Sequence, residues 1–227
     1  MHPLQPDTSY HIFNHANGFE NVFRETENYR YFLEKYRLYI SPIAETYAYC
    51  LMPNHFHLVV RIRKRSVIEQ LILNSSNNSN SNFSNLSNFS KVQNFGKVEV
   101  VGKVEIEKYL SKQFAKFFSC YTQSFNKRYK RMGSLFIKNF KREPIIDKQH
   151  FFNAVIYTHR NPIHHRFRDS FDEWEYSSYF DIINNCSELV EVEKLLKTFG
   201  GSDAFIDMHQ QNLAVFQIDD QPEIIET

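Results

Sequence analysis

The stretch Thr46-Tyr47-Ala48-Tyr49-Cys50-Leu51-Met52-Pro53-Asn54-His55-Phe56-His57-Leu58-Val59-Val60-Arg61-Ile62-Arg63 decides the fold. Two runs rich in β-branched and aromatic residues flank a Pro-Asn corner, which is the composition of a tight turn between paired strands. Thr46 to Met52 and His55 to Arg63 therefore read as a hairpin. Side chains alternate between faces along a strand, so His55 and His57 point one way while Phe56, Leu58 and Val60 point into a core. Residues two apart on one strand face are separated by roughly 7 Å, a span that two imidazoles can close over one divalent ion. By themselves, two same-face histidines are more often a polar strand surface than a metal pair. No HExxH helix motif accompanies them.

Upstream of the hairpin, Tyr10 to Asn14 has strand character and Asn17-Gly18 is a turn signal. Thr26 is an N-cap candidate for a helix to Tyr39 carrying Tyr29, Phe32, Leu33 and Tyr36 at helical spacing. Downstream, Asn74 to Ser90 is nearly all Asn and Ser, too polar to offset the entropy of ordering, and predicts a disordered insertion. Gly-Lys-Val-Glu then repeats at 96–99 and 102–105, as a short hairpin or more of the insertion. From about Ile106 to Lys130, Tyr109, Leu110, Phe114, Phe117, Phe118, Tyr121 and Phe125 keep helical period. Gly133 punctuates, Leu135 to Phe140 alternates like a strand, and Asp147 caps a helix expected to stop at Pro162. A loop around Trp174 to Tyr179, a helix near Glu188 to Lys197 and an acidic tail from Asp219 complete the chain. Residues 1–66 and 105–182 read as one catalytic domain, 67–104 as a low-complexity insertion and 183–227 as a C-terminal helical extension and tail.

Bulk composition narrows the function classes. The 227 residues can bury a sizeable core, and aromatics reach 16%, with 22 Phe and 13 Tyr. A net charge of +1 gives no whole-protein attraction to nucleic acid, so any such footprint must be local. One exists: Lys127, Arg128, Lys130, Arg131, Lys138, Lys141 and Arg142 share an acid-free stretch that ends at Glu143. These side chains are candidates for backbone phosphate contacts, set against the ordinary reading of a solvated helix end and edge strand. Cys50, Cys120 and Cys186 have no CxxC spacing, and no apolar N-terminal segment or membrane span is evident, so a reduced, cytoplasmic protein is expected.

The second chemical element is Val155-Ile156-Tyr157-Thr158-His159-Arg160-Asn161-Pro162. Tyr157 and Asn161 are four apart, so on a helix a phenol and an amide oxygen face one site together. The bland alternative is a packed Tyr and an Asn that closes the helix. His159 reads as structural more readily than as a phosphate donor, and His164 and His165 as exposed. Trp174 and Tyr176 to Tyr179 read as core packing against this helix rather than as base-stacking groups.

Taken in order, Tyr10-His11-Ile12-Phe13-Asn14, Leu51-Met52-Pro53-Asn54-His55-Phe56-His57-Leu58, Gly133-Ser134-Leu135-Phe136 with Phe140-Lys141, Tyr157-Thr158-His159-Arg160-Asn161-Pro162 and Trp174-Glu175-Tyr176-Ser177-Ser178-Tyr179 resemble the single-tyrosine HUH transposases. The REP-associated tyrosine transposases and their insertion-sequence relatives are the subgroup resembled. The agreement runs from about residue 9 to 181, interrupted at about 67 to 104. It implies an α+β, ferredoxin-like antiparallel sheet with helices packed on one face. It further implies His55 and His57 as metal ligands, Asn161 as a third polar ligand of variable type, and Tyr157 as nucleophile. The cofactor implied is a divalent metal, Mg2+ or Mn2+. The implied partner is single-stranded or hairpin DNA, cut through a 5′-phosphotyrosine in a bacterial, nucleoid-associated setting. Several such relatives are homodimers and REP-associated members act as monomers, so a homodimer is one assembly allowed. Competing readings are a non-cleaving hairpin-binding module, a metal phosphodiesterase that needs no tyrosine, and an RNA-binding domain, which lacks its aromatic signature here. Tyr121 is the rival nucleophile.

Overall fold

A computed structural model of the chain describes residues 3–81 and 101–211. The hairpin forms as expected: β2 (Ala44–Met52) turns at Pro53-Asn54 into β3 (His55–Ile62), and the two pair antiparallel with Met52 opposite His55. β1 (Ser9–His15) lies on the other side of β3, and β4 (Lys141–Pro144) closes that edge, giving the order β2-β3-β1-β4 with every pair antiparallel. With α1 (Thr26–Tyr39) after β1 and α3 (Lys103–Arg128) before β4, the path is the βαββαβ of a ferredoxin-like α+β fold.

The pleat sorts side chains between two faces. Ile12, Asn14, Phe56 and Leu58 share one face, because Ile12 sits opposite Leu58 and Asn14 opposite Phe56. That face meets α1 and α3: the Phe56 ring lies 5.2 Å from Phe32 and 5.7 Å from Phe118, and Phe32 lies 4.7 Å from Phe117. Here the helical period of both segments is used as the sequence suggests, with Tyr29, Phe32 and Tyr36 of α1 and Leu110, Phe114, Phe117 and Tyr121 of α3 buried. The opposite face carries His11, Phe13, His15, His55 and His57, and α4 (Lys148–His164) packs over it against β2 and β3. Asp147 caps α4 by accepting from the His150 N–H at 2.7 Å.

Several boundaries differ from the sequence expectations. α2 (Arg65–Ser81) occupies the first part of the expected insertion, because Ile68 and Ile72 are one turn apart and bury against the core. Their apolar stripe is short and is followed at once by the Asn/Ser run that dominates the composition. The rest of that run and the first Gly-Lys-Val-Glu copy lie outside the described residues. The second copy is no hairpin: Gly102 is the N-cap and Lys103 opens α3. Leu135 to Phe140 is not a strand. It meets the end of β1 through an isolated bridge, Ala16 to Phe136, and a bond from the Ile137 N–H to the His15 carbonyl, then turns through Asn139 at φ 67°, and ladder pairing resumes only at Lys141. α4 runs past Pro162 to His164, since a proline in the last turn removes one helical donor where few bonds remain to be made.

The segment from Trp174 to Ser178 is not a free loop. It lines the outer edge of β2, with Leu51 N–H donating to the Tyr176 carbonyl, Ser178 N–H to Tyr49, and a bridge between Cys50 and Ser177. This covers an edge that would otherwise offer unpaired backbone groups. Its aromatic rings are packed, but not all on the helix the sequence suggests: Tyr176 stacks on Tyr29 of α1 at 3.5 Å, Trp174 buries against Cys50 and Met52 of β2, and Tyr179 meets His159 at 5.6 Å. α5 (Tyr179–Ile183) follows, then α6 (Val192–Phe199), shifted from the expected 188–197, and α7 (Ser202–Gln211).

Candidate active site

The period-two alternation of β3 delivers His55 and His57 to the α4 face, both buried. β1 adds neighbours that the sequence reading left aside. His15 is directly opposite His55, with rings stacked at 4.6 Å, and His11 stacks on His57 at 5.1 Å. The signal was present: His11 and His15 are four apart on a strand and so share a face. From above, α4 lowers Tyr157 edge-on to His57 at 5.3 Å and to His11 at 5.8 Å. One turn on, Asn161 Oδ1 sits 3.2 Å from His55 Nε2. His55, His57, Tyr157 and Asn161, named from the sequence, thus converge. His165 is exposed as expected but lies against His55, ring centroids 4.9 Å apart.

The hydrogen bonds orient these groups. Asn161 Nδ2 donates to the Tyr157 carbonyl at 3.0 Å, which turns its Oδ1 toward His55. His55 Nδ1 lies 2.8 Å from Asn54 Oδ1. A neutral ring has one N–H, so it donates to one of these two amide oxygens and turns a lone pair toward the other. His57 Nδ1 is held by His11 Nε2 at 3.0 Å, which spends that nitrogen and orients the ring. The Tyr157 hydroxyl is buried and has no hydrogen-bond partner.

Burial holds the imidazoles neutral. It pushes His55 down to about 3 and His11 to about 4, and His57 well below the ordinary histidine range, with His15 and His165 adding repulsion at both His55 and His57. Neutral imidazoles are the form that ligates metal. A metal here would have two imidazoles and one amide oxygen, because no three His, Cys, Asp or Glu side chains among the described residues form a metal group. That set fits: the 3.2 Å between His55 Nε2 and Asn161 Oδ1 is close to the roughly 3 Å ligand edge of an octahedral ion bonded at about 2.1 Å.

Behind α4 lies a buried chain of bonds. His209 Nδ1 donates to its own Phe205 carbonyl at 2.8 Å, so its Nε2 accepts from His159 Nδ1 at 2.9 Å. His159 Nε2 in turn accepts from the Ser178 hydroxyl at 2.8 Å, and that oxygen takes the Tyr49 N–H at 2.9 Å. This arrangement closes with both histidines neutral, in keeping with burial, which depresses His159 strongly and His209 to about 4. His159 is therefore structural. It fastens α4, two residues on from Tyr157, to α7 on one side and β2 on the other.

The basic stretch divides. Arg128 is engaged by Glu25 at 2.5 and 2.8 Å, and Arg131 by Glu20 at 2.8 Å and Asn126 at 2.6 Å. Arg142 lies opposite Ile12, on the face away from the histidines, half-buried over Phe140 at 5.0 Å. Lys141, opposite Phe13, is exposed on the histidine face, and Lys127, Lys130 and Lys138 are exposed near the loops at that end. If the basic stretch contacts nucleic-acid phosphates, as the sequence resemblance implies, Lys141→Ala weakens single-stranded DNA binding and lowers the salt slope by about one, whereas Arg128→Ala changes both little. Salt titrations of the two variants by fluorescence anisotropy check this. Tyr121 lies on the other side of the sheet with its hydroxyl donated to the Val22 carbonyl at 2.6 Å.

No family model and no curated protein matches the chain. Among solved structures it is similar to a REP-associated tyrosine transposase bound to a REP hairpin, at 13% identity and a TM-score of 0.46, over 83% of this chain and 87% of that one. No helix among the described residues is long and apolar enough to cross a membrane.

Proposed function

We propose that the chain is a metal-dependent, single-tyrosine DNA transesterase that cuts single-stranded DNA, beside hairpins, with Tyr157. The observation that carries this reading is the buried phenol of Tyr157, whose ring lies edge-on to two oriented, neutral imidazoles and whose hydroxyl has no hydrogen-bond partner. A buried unpaired hydroxyl costs about 1–3 kcal/mol, a cost that an attacking group recovers when its target arrives. His55, His57 and Asn161 would hold Mg2+ or Mn2+, which when bound polarises a phosphate oxygen and offsets charge developing at phosphorus. Of the two, Mn2+ accepts imidazole ligands more readily than Mg2+, which demands oxygen ligands and waters.

In this reading, Tyr157 Oη attacks phosphorus in line as its proton leaves. The new bond is tyrosyl oxygen to phosphorus, and the bond broken is phosphorus to the 3′-oxygen, which departs as a hydroxyl by taking up, by way of solvent, the equivalent of the proton that the phenol loses. The 5′-phosphotyrosine retains the phosphodiester energy, so rejoining needs no nucleotide cofactor. His11 positions His57 and Asn54 positions His55.

The test is incubation with single-stranded oligonucleotides from the flanks of the encoding gene, with Mn2+ or Mg2+, and a denaturing gel for a covalent adduct. His55→Ala and His57→Ala are expected to abolish the adduct while leaving DNA affinity within a few-fold, because phosphate contacts supply the affinity. Wild-type activity in either variant with both metals would remove the metal assignment. DNA binding without any adduct would leave a hairpin-binding module.

A further inference from the structure

At the end of the sheet where His15 and His55 meet, two loops present apolar side chains to solvent. Phe19 and Met132 are almost fully exposed and Ile137 is half exposed, although most large hydrophobic groups among the described residues are buried or partly buried. Phe19 is not on a loose loop. On one side the Asn17 N–H donates to the Leu135 carbonyl at 2.8 Å, and on the other Glu20 accepts from Arg131 at 2.8 Å. Between them Gly18, at φ 80°, makes the left-handed turn that sets Phe19 at the tip. Arg131 also donates to the Ser134 carbonyl and Asn126 to that of Gly133, which fixes the Met132 loop beside it.

The patch leads to the candidate site. Ile137 N–H donates to the His15 carbonyl at 3.0 Å, and the Asn14 amide donates to the Ile137 carbonyl at 3.1 Å. His15 then stacks on His55, which meets Asn161. The local charge is positive: Glu20 and Glu25 are taken up by Arg131, Arg24 and Arg128, whereas Lys127, Lys130 and Lys138 are exposed with no acidic partner among the described residues.

We propose that Phe19, with Met132 and Ile137, is a stacking platform for unpaired nucleotide bases, the lysines around it carrying the phosphates of the same strand. This rests on the reading above and specifies how the strand approaches Tyr157. Fixed aromatic and apolar steps among uncompensated cations match a single strand, which offers a π face and an anion at each nucleotide. A protein partner fits less well, because lysine is depleted at protein interfaces.

The experiment measures affinity for a single-stranded oligonucleotide carrying 2-aminopurine, with wild type, Phe19→Ala and Phe19→Trp, across a salt series. Phe19→Ala is expected to weaken binding about tenfold, leave the salt slope and melting temperature unchanged, and abolish 2-aminopurine quenching. Phe19→Trp is expected to restore both affinity and quenching. Unchanged affinity in Phe19→Ala overturns the platform, as does a wild type that binds no single strand. A dimer that dissociates in Phe19→Ala while DNA affinity holds overturns it in favour of a contact between copies. The covalent adduct separates the two readings. Phe19-dependent binding without an adduct keeps the platform and removes the transesterase, and an adduct with Phe19-independent binding does the reverse.

Discussion

Tyr157→Phe is expected to eliminate the covalent DNA adduct, a loss of at least about 10³-fold in single-turnover cleavage, because no other oxygen in the site can form the tyrosyl phosphate bond. The same variant is expected to be as stable as wild type or more stable. The ring keeps its edge-on contacts with His57 and His11, and the atom removed is a buried hydroxyl that makes no hydrogen bond. Relief of about 1 kcal/mol of unpaired burial corresponds to a rise of about 2–4 °C in melting temperature for a chain of this size. Tyr121→Phe is the control with the opposite signature: it loses the bond to the Val22 carbonyl and so stability, and keeps the adduct. An adduct that survives Tyr157→Phe and disappears with Tyr121→Phe overturns the nucleophile assignment. Mass spectrometry of the trapped peptide distinguishes the two.

The metal-free protein is expected to unfold in mild acid, well above the carboxylate range. His11, His55, His57, His159 and His209 are buried and neutral, each held below the ordinary histidine value mainly by desolvation. The sign follows from the proton count. Above about pH 6.5 folded and unfolded chains both carry these rings neutral. As pH falls below that value, the unfolded chain takes up protons that the native chain refuses, so stability declines until the folded values, about 4 for His11 and His209, are reached. At pH 5.5 each ring costs up to about 1.4 kcal/mol, and the five together on the order of 7 kcal/mol, comparable to the whole stability of a typical domain. The expected midpoint, followed by near-ultraviolet circular dichroism in chelator, lies between about pH 5 and 5.5. Native signal persisting to pH 4 would show that these rings are not held neutral.

The central hairpin and α1 were legible because their periods are strong and the hairpin corner is marked by Pro53-Asn54, although Thr26 is the first helical residue rather than the cap, which is Glu25 with no side-chain capping bond. His55, His57, Tyr157 and Asn161 were legible as pairs, because a strand period of two and a helix spacing of four each put two groups on one side. The sequence did not yield the junction between pairs. That Tyr157 reaches His57, and that His11 and His15 join them, depends on β1 pairing with β3 and α4 crossing that face, which are contacts between distant segments. The basic run misled for a related reason. Acid-free in sequence, it is not acid-free in space, since Glu20 and Glu25 come from the loop before α1 to meet Arg131 and Arg128. α2 was hidden by composition, its short apolar stripe being followed by Asn and Ser.

The bond between His159 and His209 spans 50 residues of sequence. A ribosome adding about 5–20 residues per second therefore delivers the second ring roughly 3–10 seconds after the first. In that interval the sheet and α4 are already synthesised, but His159 carries a buried donor with no acceptor. The helix bearing Tyr157 acquires its last anchor only once α7 has emerged, so a nascent chain still attached at that point holds every proposed ligand and the nucleophile, with their local hydrogen bonds, before the helix that carries two of them is tied down from behind.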